Sequence, residues 1–376
     1  MVTLPSATRR QWLKTTATGI AGLALARQIL VTPAPAQPAP AQKVGVTVAR
    51  LSGNENSMGP SARALQAMRD NLERSHYYPF AEQGVLAKKI AELEGVATDH
   101  IVMGVGSGEI LETFGVYLGR EKGEVVTATP GYLQMIAAME RMGAKAVFVP
   151  LNDRLEHDLD AMAAKVGPNT KCVYICNPNN PTGTIVNAAK LRAFCIELAK
   201  RCPVFVDEAY LQCADDFAGN TMVGLVREGH NIAVARTFSK LYGLAGQRVG
   251  YGVMQPAMAR AIREFSTGSL NLLGIVAATA SLDDPTYAGE MRAKIKAGRT
   301  ALIDVVKDLG RRYVEPHGNF VFFHTGMPIQ DFQARMKAEN VAVARPFPPL
   351  LDWARVSVGT PDEMALCHSA LRKVLG

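Results

Sequence analysis

One segment of this sequence combines a lysine with side chains that bind phosphate. The segment "TFSKLYGLAGQRVG" begins at Thr237, Lys240 follows the hydroxyl group of Ser239, and Arg248 lies eight residues after the lysine. Hydroxyl and guanidinium groups hold phosphate oxygens, which leaves the lysine for another task. A lysine amine becomes a nucleophile when burial or neighbouring positive charge lowers its pKa, and it can then form a Schiff base. The segment therefore predicts covalent attachment of a phosphate-bearing group, although most lysines are simply solvated.

Two further segments carry polar side chains beside apolar runs. Asp207 ends the run "VFVD", where a buried carboxylate is costly unless it is paired. A protonated pyridine nitrogen would be such a partner, and a structural ion pair is the alternative. The loop "NPNNPTG" contains Asn180, whose amide has the reach to bind a phenolic oxygen, or the loop is an ordinary polar turn. Both residues thus favour recognition of a charged aromatic ring.

A glycine-rich turn precedes one predicted helix. The stretch "GVGSGEIL" covers residues 104–111 and includes Ser107 and Gly108. Backbone N–H groups at such a turn face the positive end of a helix and suit a phosphate. No Gly-Lys-Ser/Thr sequence follows, so the turn is not a Walker A loop of the kind that binds nucleotides. By itself this signal is weak, because a plain glycine turn has the same sequence.

The order of the elements predicts how these segments meet. Seven short β-branched runs between residues 101 and 254 alternate with helical stretches, which is typical of an α/β fold with one mostly parallel sheet covered on both faces. Ligands of such sheets bind beyond the carboxyl ends of the strands. The glycine turn, "NPNNPTG", "DEAY" and "TFSK" each follow a predicted strand, so all of them are expected at one crevice.

The pattern also predicts the domain organisation. Residues 76–255 form a large domain with the seven-stranded sheet, and residues 256–376 form a smaller α+β C-terminal domain of long helices and few strands. Residues 43–75 are interpreted as an N-terminal arm with a linking helix. A length of 376 residues agrees with two domains.

Composition excludes some classes of function. The net charge is +7, but four basic residues lie in residues 1–42, which hold no acid, so the rest carries 37 basic and 34 acidic residues. No basic stripe with interleaved aromatic residues is present, and we therefore expect no nucleic-acid partner. The six cysteines show no metal-ligand spacing with histidine, so no metal site is predicted.

The three motifs together identify a family resemblance. "NPNNPTG", "VDEAY" and "RTFSKLYGLAGQRVGY", in this order and spacing, resemble fold-type I pyridoxal-phosphate aminotransferases of class I/II, in the branch that includes histidinol-phosphate aminotransferase. The resemblance extends over about residues 51–360. It implies pyridoxal 5'-phosphate as the cofactor and implies cofactor contacts at these positions: Tyr78, Ser107, Gly108, Glu109, Tyr132, Asn180, Asp207, Tyr210, Thr237, Ser239, Lys240 and Arg248.

The resemblance also implies individual roles. Lys240 would hold the cofactor as a Schiff base and move the substrate's α-proton, Asp207 would bind the pyridine nitrogen, and Tyr210 would bind the phenolic oxygen together with Asn180. Tyr132 would stack on the ring. These assignments make the lysine, the aspartate and the tyrosine the catalytic residues.

The remaining implied roles concern the substrate and a second subunit. Arg355, in "ARVSVG", matches the arginine that clamps a substrate carboxylate, while Asn180 and Arg345 face the substrate. Tyr78, in "HYYPF", matches a tyrosine that reaches the phosphate bound by the neighbouring subunit. The implied assembly is therefore a homodimer with shared active sites.

The resulting hypothesis is a ping-pong aminotransferase that moves an amino group between an L-amino acid or related amine and a 2-oxo acid. The alternatives are another reaction at Cα on the same fold (decarboxylase, β-lyase or epimerase) and cytosolic transamination of histidinol phosphate. A further alternative is a non-catalytic binding protein descended from such enzymes, which the complete set of cofactor residues disfavours.

The first residues resemble an export signal. "TRRQWLK" contains Arg9 and Arg10, and a short apolar run and two Ala-Pro-Ala sites follow before Gln42. This order is typical of a twin-arginine signal, either cleaved or retained as an uncleaved anchor, and the alternative is a basic N-terminal tail. We therefore expect the twin-arginine export machinery as a partner, cleavage near Gln37 or Gln42, and a periplasmic enzyme.

Overall fold

The computed structural model of the protein describes residues 48–376. The predicted export signal, residues 1–42, lies outside the described residues. The strands are β1 (Ala49–Arg50), β2 (Ile101–Val105), β3 (Glu124–Thr129), β4 (Lys145–Pro150), β5 (Thr170–Cys176), β6 (Val204–Asp207), β7 (Ile232–Thr237), β8 (Val249–Val253), β9 (Phe320–His324), β10 (Val341–Ala342) and β11 (Trp353–Ser357).

Helices separate most of these strands and surround the main sheet. They are α1 (Ala62–Asp70), α2 (Phe80–Glu94), α3 (Ser107–Gly119), α4 (Gln134–Arg141), α5 (Leu159–Lys165), α6 (Ala188–Ala199), α7 (Phe217–Asn220), α8 (Val223–Arg227), α9 (Pro256–Phe265), α10 (Leu272–Leu282), α11 (Tyr287–Asp308), α12 (Ile329–Ala338) and α13 (Pro361–Leu375). None of the helices in the described range is long and apolar enough to cross a membrane.

Local sequence explains where several helices begin and end. Thr360 caps α13, because its side chain accepts from the N–H of Glu363 while the Glu363 carboxylate accepts from the N–H of Thr360. Proline occupies the first position of both α9 and α13, where its missing N–H costs nothing. Gly95 ends α2 in the left-handed conformation with φ of 64°.

The main sheet has seven strands in the order β2-β8-β7-β6-β5-β3-β4. Strands β3 to β7 pair in parallel, and β8 is antiparallel to both of its neighbours. Every residue of β6, β7 and β8 is buried, as expected for strands covered on both faces. The prediction of an α/β fold with a seven-stranded, mostly parallel sheet is confirmed.

A smaller antiparallel pair lies in the C-terminal part of the chain. β9 pairs with β11, and Arg355 of β11 lies opposite Phe322 of β9. The core around this pair includes Val321, Phe323 and Leu302, the last of which belongs to α11. The two residues of β1 pair in parallel with β10, so the segment after residue 48 runs beside the C-terminal strands. The domain boundaries at residues 75 and 255 stay predictions.

Candidate active site

A cavity of about 490 Å³ opens at the carboxyl ends of the central strands. Its walls come from the turns after β2, β3, β5, β6 and β7 and from the C-terminal segment around β11, as the rule for open parallel sheets predicts. All of the predicted site residues except Tyr78 line it: Ser107, Gly108, Glu109, Tyr132, Asn180, Asp207, Tyr210, Thr237, Ser239, Lys240, Arg248, Arg345 and Arg355.

The phosphate end of the cavity is the start of α3. No side chain of residues 48–376 caps this helix, so the N–H groups of Ser107 and Gly108 are open to an anion, whereas that of Glu109 donates to the carbonyl of Gly106 at 3.2 Å. Gly106 precedes it with φ of 77°, and a Cβ there would lie 2.3 Å from Nη2 of Arg248. The arginine is held in place because Nη2 donates to the carbonyl of Val105 at 3.2 Å and Nη1 donates to that of Ala245 at 3.0 Å. A guanidinium and open amides thus meet at one point, which fits a phosphate.

The hydroxyl groups after β7 are oriented toward the same end. The hydroxyl of Thr237 donates to Oγ of Ser239 at 2.9 Å and accepts from the backbone N–H of Ser239 at 3.1 Å. Arg248 Nη1 also points to Oγ of Ser239 at 3.4 Å. With two donors directed at this oxygen, the Ser239 hydrogen is free to donate to a ligand.

Lys240 is half-buried in the centre of the cavity. Its Nζ donates to the carbonyl of Gly53 at 3.3 Å and lies 5.4 Å from the ring centroid of Tyr210. Burial, with a further contribution from the positive charge of Arg355, lowers the pKa of Lys240 to about 8. About a tenth of the amine is therefore uncharged at pH 7, against less than a thousandth for an ordinary lysine, and only the uncharged form attacks an aldehyde.

Asp207 is a buried carboxylate without a cationic partner. Its exposed fraction is 2%, and no lysine, arginine or histidine of residues 48–376 forms a salt bridge with it. One oxygen accepts from the N–H of Ala209 at 3.0 Å and the other accepts from the hydroxyl of Tyr174 at 3.0 Å. Burial raises the pKa of Asp207 to about 6. The structural ion pair considered from the sequence is not formed, so a cationic ligand is the fitting partner.

The ion pair that does form uses the next residue. Glu208 accepts from Arg236 at 3.0 Å, and Arg236, with an exposed fraction of 1%, also binds Glu94 of α2. The hydroxyl of Tyr251 donates to Glu94 at 2.6 Å. These buried contacts join β6, β7, β8 and α2 directly behind the strand ends, and they fix the backbone that carries the cavity residues.

Glu109 and Tyr132 lie at the cavity but bind neighbouring protein groups. The Glu109 carboxylate accepts from the N–H of Val105 at 2.6 Å, from the hydroxyl of Ser266 at 2.9 Å and from the N–H of Gly268 at 2.6 Å. Its side chain therefore connects the start of α3 to the loop after α9. The Tyr132 hydroxyl donates to Gln134 at 2.9 Å, which leaves its ring at the cavity wall.

The inner wall joins three distant segments through Tyr210. Its hydroxyl oxygen accepts from Nδ2 of Asn180 at 3.2 Å and from Nδ2 of Asn54 at 3.2 Å. Arg355 donates to the Asn180 side-chain oxygen and to the carbonyl of Ser52 at 2.8 Å. Burial raises the pKa of Tyr210, so the phenol stays protonated at any ordinary pH.

Arg345, Phe347 and Arg355 form what we call the outer wall of the cavity, where two arginines lie around one aromatic ring. Arg355 belongs to both walls, because it also contacts Asn180. The guanidinium carbons of Arg345 and Arg355 lie 4.6 and 5.0 Å from the centroid of the Phe347 ring. Burial lowers the pKa of Arg355 to about 10, and the charge of Arg345 acts in the same direction. Arg345 is exposed and Arg355 is buried, so the pair forms a positive wall from the cavity mouth inward.

Sequence reasoning missed several residues at the site. Tyr174 is an unremarked aromatic of a strand, Gln134 follows "PGYL", and Asn54 belongs to the polar stretch "SGNEN" at the start of the described chain. Of these, only the polar stretch carried a signal, because "NEN" places three polar side chains in a row. Tyr78 lies outside the cavity of its own chain and is 80% exposed.

Comparison with known proteins agrees with this geometry. The sequence matches the family "Aminotransferase class I and II" over residues 46–371. A histidinol-phosphate aminotransferase of Symbiobacterium thermophilum is 36% identical over 332 residues, covering 87% of this chain and 90% of that protein. The protein of the same name from Moorella thermoacetica is 35% identical over 331 residues, covering 87% of this chain and 86% of that protein.

A solved structure supports the same assignment. The histidinol-phosphate aminotransferase of Sinorhizobium meliloti in complex with pyridoxal-5'-phosphate has a TM-score of 0.79 and 29% identity, covering 87% of this chain and 91% of that chain. The open amides of α3, the unpaired carboxylate of Asp207 and the amine of Lys240 fit the phosphate, ring nitrogen and aldehyde of that cofactor. The chain belongs to the class I and II aminotransferases and is a pyridoxal-phosphate-dependent transaminase of fold type I.

Proposed function

We propose that this transaminase takes its amino group from histidinol phosphate and gives it to a 2-oxo acid. Of the substrates left open by the sequence, this one has the support of the relatives, which carry that activity in their names. The observation in the chain itself that favours it is the pair of arginines on the outer wall. We therefore favour histidinol phosphate over an L-amino acid as the amino donor.

The charge of the outer wall suits a phosphate monoester. Arg345 and Arg355 flank the same Phe347 ring, while Arg248 is engaged at the opposite, cofactor-phosphate end. Histidinol phosphate has no carboxylate, so a phosphate dianion would take the place that a carboxylate has in an amino acid. Two guanidinium groups match a dianion better than a monoanion, because each can form its own charge-assisted hydrogen bonds.

The residues of the cavity divide the work of the reaction. When bound, pyridoxal phosphate supplies an electron sink for the electrons released at the substrate's Cα. Lys240, with its lowered pKa, is the base that would remove the Cα proton and return it. Asp207 would hold a positive charge on the ring nitrogen, and the outer arginines would orient the donor so that its Cα–H bond faces Lys240.

The donor preference tests this proposal. We expect histidinol phosphate to convert the bound cofactor to its amino form faster than histidinol or L-histidine, because only the first carries a dianion. Arg345→Gln should lower kcat/KM for histidinol phosphate about 10- to 150-fold, the range for one charge-assisted hydrogen bond. Absorbance of the cofactor in single half-reactions measures both effects.

The control for this experiment is Arg335→Gln, which removes an exposed arginine of α12 outside the cavity. It should leave kcat/KM unchanged. If L-histidine or another amino acid reacts faster than histidinol phosphate, or if Arg345→Gln leaves kcat/KM for the phosphate donor intact, the substrate proposal is wrong. The transaminase assignment would stand, since it does not depend on the donor.

We also propose that the enzyme is a homodimer in which Tyr78 reaches the neighbouring site. Tyr78 stacks on Phe80 with ring centroids 5.7 Å apart, and both are more than three-quarters exposed, at 80% and 76%. Tyr77 and Leu72 add exposed apolar surface within the same short segment. Exposed apolar side chains concentrated in one short segment are typical of a protein interface.

Subunit mixing is expected to show this sharing. A Tyr78→Ala chain loses cofactor affinity, and a Lys240→Ala chain is inactive, yet a mixed dimer has one site with both residues intact. Activity of the mixture should therefore exceed that of either parent in proportion to the mixed dimers formed. Tyr77→Ala is the matched control. A mixture no more active than its parents, or a fully active monomer at low concentration, would contradict the shared site.

The location of the enzyme stays a proposal from residues 1–42, and it is separate from the donor proposal. The sequence suggested histidinol phosphate for a cytosolic enzyme, so a failure of export would leave the donor proposal intact. We infer export by the twin-arginine route, because a chain that closes around a cofactor is best exported already folded. Arg9→Lys with Arg10→Lys should keep the protein inside the cell, folded and carrying cofactor. Cell fractionation with N-terminal sequencing measures the location and the processing of the chain. The export proposal is wrong if the double variant is exported as before. It is also wrong if the native protein is found only in the cytosol with residues 1–42 intact.

A further inference from the structure

The hydroxyl group of Tyr210 is surrounded by two side-chain amides. Nδ2 of Asn54 and Nδ2 of Asn180 each lie 3.2 Å from the phenolic oxygen. Asn54 comes from the segment before α1, and Asn180 comes from the turn after β5. The direction in which each amide faces decides whether the phenol donates or accepts, so the other partners of both amides matter.

The orientation of Asn180 follows from its contact with Arg355. A guanidinium has donors and no acceptor, so the group of Asn180 that faces Arg355 must be its carbonyl oxygen. The NH₂ group of Asn180 is then the one that faces Tyr210. No other assignment satisfies both contacts.

The orientation of Asn54 follows from its contacts with Ser357. The Ser357 hydroxyl oxygen accepts from the backbone N–H of Asn54 at 2.9 Å, and its hydrogen is directed to Oδ1 of Asn54 at 3.0 Å. The backbone carbonyl of Asn54 accepts from Nδ2 of Asn319 at 3.0 Å. Asn54 has an exposed fraction of 0%, and an amide turned by 180° would present its NH₂ group to Ser357 and leave the buried serine hydrogen without an acceptor among residues 48–376. Its NH₂ group is therefore fixed toward Tyr210.

Both amides thus donate to the same phenolic oxygen. The lone pairs of that oxygen are occupied, and the single hydrogen of Tyr210 has to find a third group. Tyr210 lines the cavity, so the open direction is toward the bound cofactor. We propose that Asn54, held by Ser357, is a positioning residue that makes Tyr210 an obligatory hydrogen-bond donor into the active site.

This polarity has a consequence for the cofactor. A hydrogen bond donated to the phenolic oxygen of the cofactor stabilises its negative charge and lowers the proton affinity of the adjacent lysine-linked nitrogen. Removing the donated bond should therefore raise the pKa at which the absorption band of the bound cofactor changes. The proposal rests on the cofactor and not on the amino donor, so it can be tested without substrate and independently of the histidinol-phosphate proposal.

Asn54→Asp reverses the polarity with little change in shape. A carboxylate only accepts, so it would take the Tyr210 hydrogen that otherwise points into the cavity, and aspartate tolerates the left-handed backbone at this position, where φ is 53°. We expect the pKa of the absorption band to rise by about one to two units, the size expected for one hydrogen bond to a charged group. The measurement is a spectrophotometric pH titration of the protein with bound cofactor.

A double-variant cycle separates this effect from simple charge. The new carboxylate also raises the proton affinity of the cofactor through space. Among the existing charged groups near Tyr210, Asp207 acts in the same direction, whereas Arg355 and Lys240 act in the opposite direction. If Asn54→Asp acts through the phenol, the shift should disappear when Tyr210→Phe is already present. A charge effect would persist in that background and would overturn the proposal.

Two further variants complete the test. Asn56→Asp introduces the same charge two residues away, where the native amide donates to the carbonyl of Leu241 at 2.9 Å, and it should shift the band far less. Ser357→Ala frees the Asn54 amide to turn, and it should shift the band in the same direction as Asn54→Asp but by less.

If Asn54→Asp does not fold, as judged by thermal unfolding without cofactor, Ser357→Ala alone decides. An unchanged band in the folded variants would show that Asn54 does not orient Tyr210.

Discussion

Lys240→Ala is expected to abolish transamination and to leave the cofactor without a covalent attachment. The amine of Lys240 lies in the centre of the cavity, 5.4 Å from the Tyr210 ring centroid, and its pKa of about 8 makes it the nucleophile of the site. Borohydride treatment followed by peptide mapping measures the attachment in the wild-type protein and in the variant. The wild-type adduct should lie on Lys240, and the variant should carry none.

The pH dependence of covalent capture provides a second measurement. An amine attacks an aldehyde only in its uncharged form, so the capture rate should rise as the pH increases through about 8 and should level off above that value. Lys200→Ala, which removes an exposed lysine at the end of α6, is the matched control. A borohydride adduct on any other lysine would end the assignment.

Asp207→Asn is expected to cause the second largest loss. Asparagine has the shape of aspartate but no charge, so it retains the space beneath the ring nitrogen without stabilising a proton there. Loss of one partner from a buried charged pair costs about 3–5 kcal/mol, and the same loss in the transition state corresponds to a fall in kcat of about 10²- to 10⁴-fold. Steady-state kinetics measure the fall, and the thermal midpoint of the cofactor-free variant shows whether it folds normally.

The same variant predicts a change in how pH affects cofactor binding. Burial holds the pKa of Asp207 at about 6 when no cation lies beside it, and a bound cationic ring favours the ionised carboxylate. In the wild-type protein, cofactor affinity should therefore decrease as the pH falls through about 6, because binding must then displace a proton. Asp207→Asn should lack this decrease, and an identical pH dependence in both proteins would contradict the role of Asp207.

Tyr174→Phe should shift this pH dependence of cofactor binding without abolishing it. The hydroxyl of Tyr174 donates to Asp207 at 3.0 Å and lowers the pKa of that carboxyl. Without this donor the carboxyl holds its proton more strongly, so the pH at which cofactor affinity decreases should move upward. Equilibrium binding of pyridoxal phosphate between acidic and neutral pH, to the wild-type protein and to Tyr174→Phe, measures the shift.

The sequence by itself determined the fold class and the central residues of the site. The segments around Lys240, Asp207 and Asn180 are local motifs, and each follows a strand whose apolar, β-branched pattern is visible in the sequence. Because parallel strands share one carboxyl edge, the convergence of these motifs could be predicted without knowing any distance. The confirmed seven-stranded sheet follows from the same alternation of strands and helices.

Only the tertiary structure decided how the side chains around these residues are paired. Asn54 and Tyr210 are 156 residues apart, and Asn54 and Ser357 are 303 residues apart, so neither hydrogen bond has a local signal. Tyr174 has the pattern of any buried strand residue until the pairing of β5 with β6 brings it to Asp207. Sequence patterns record which face of an element is buried. The direction of a hydrogen bond depends on groups that distant segments bring together, and it is decided when the chain folds.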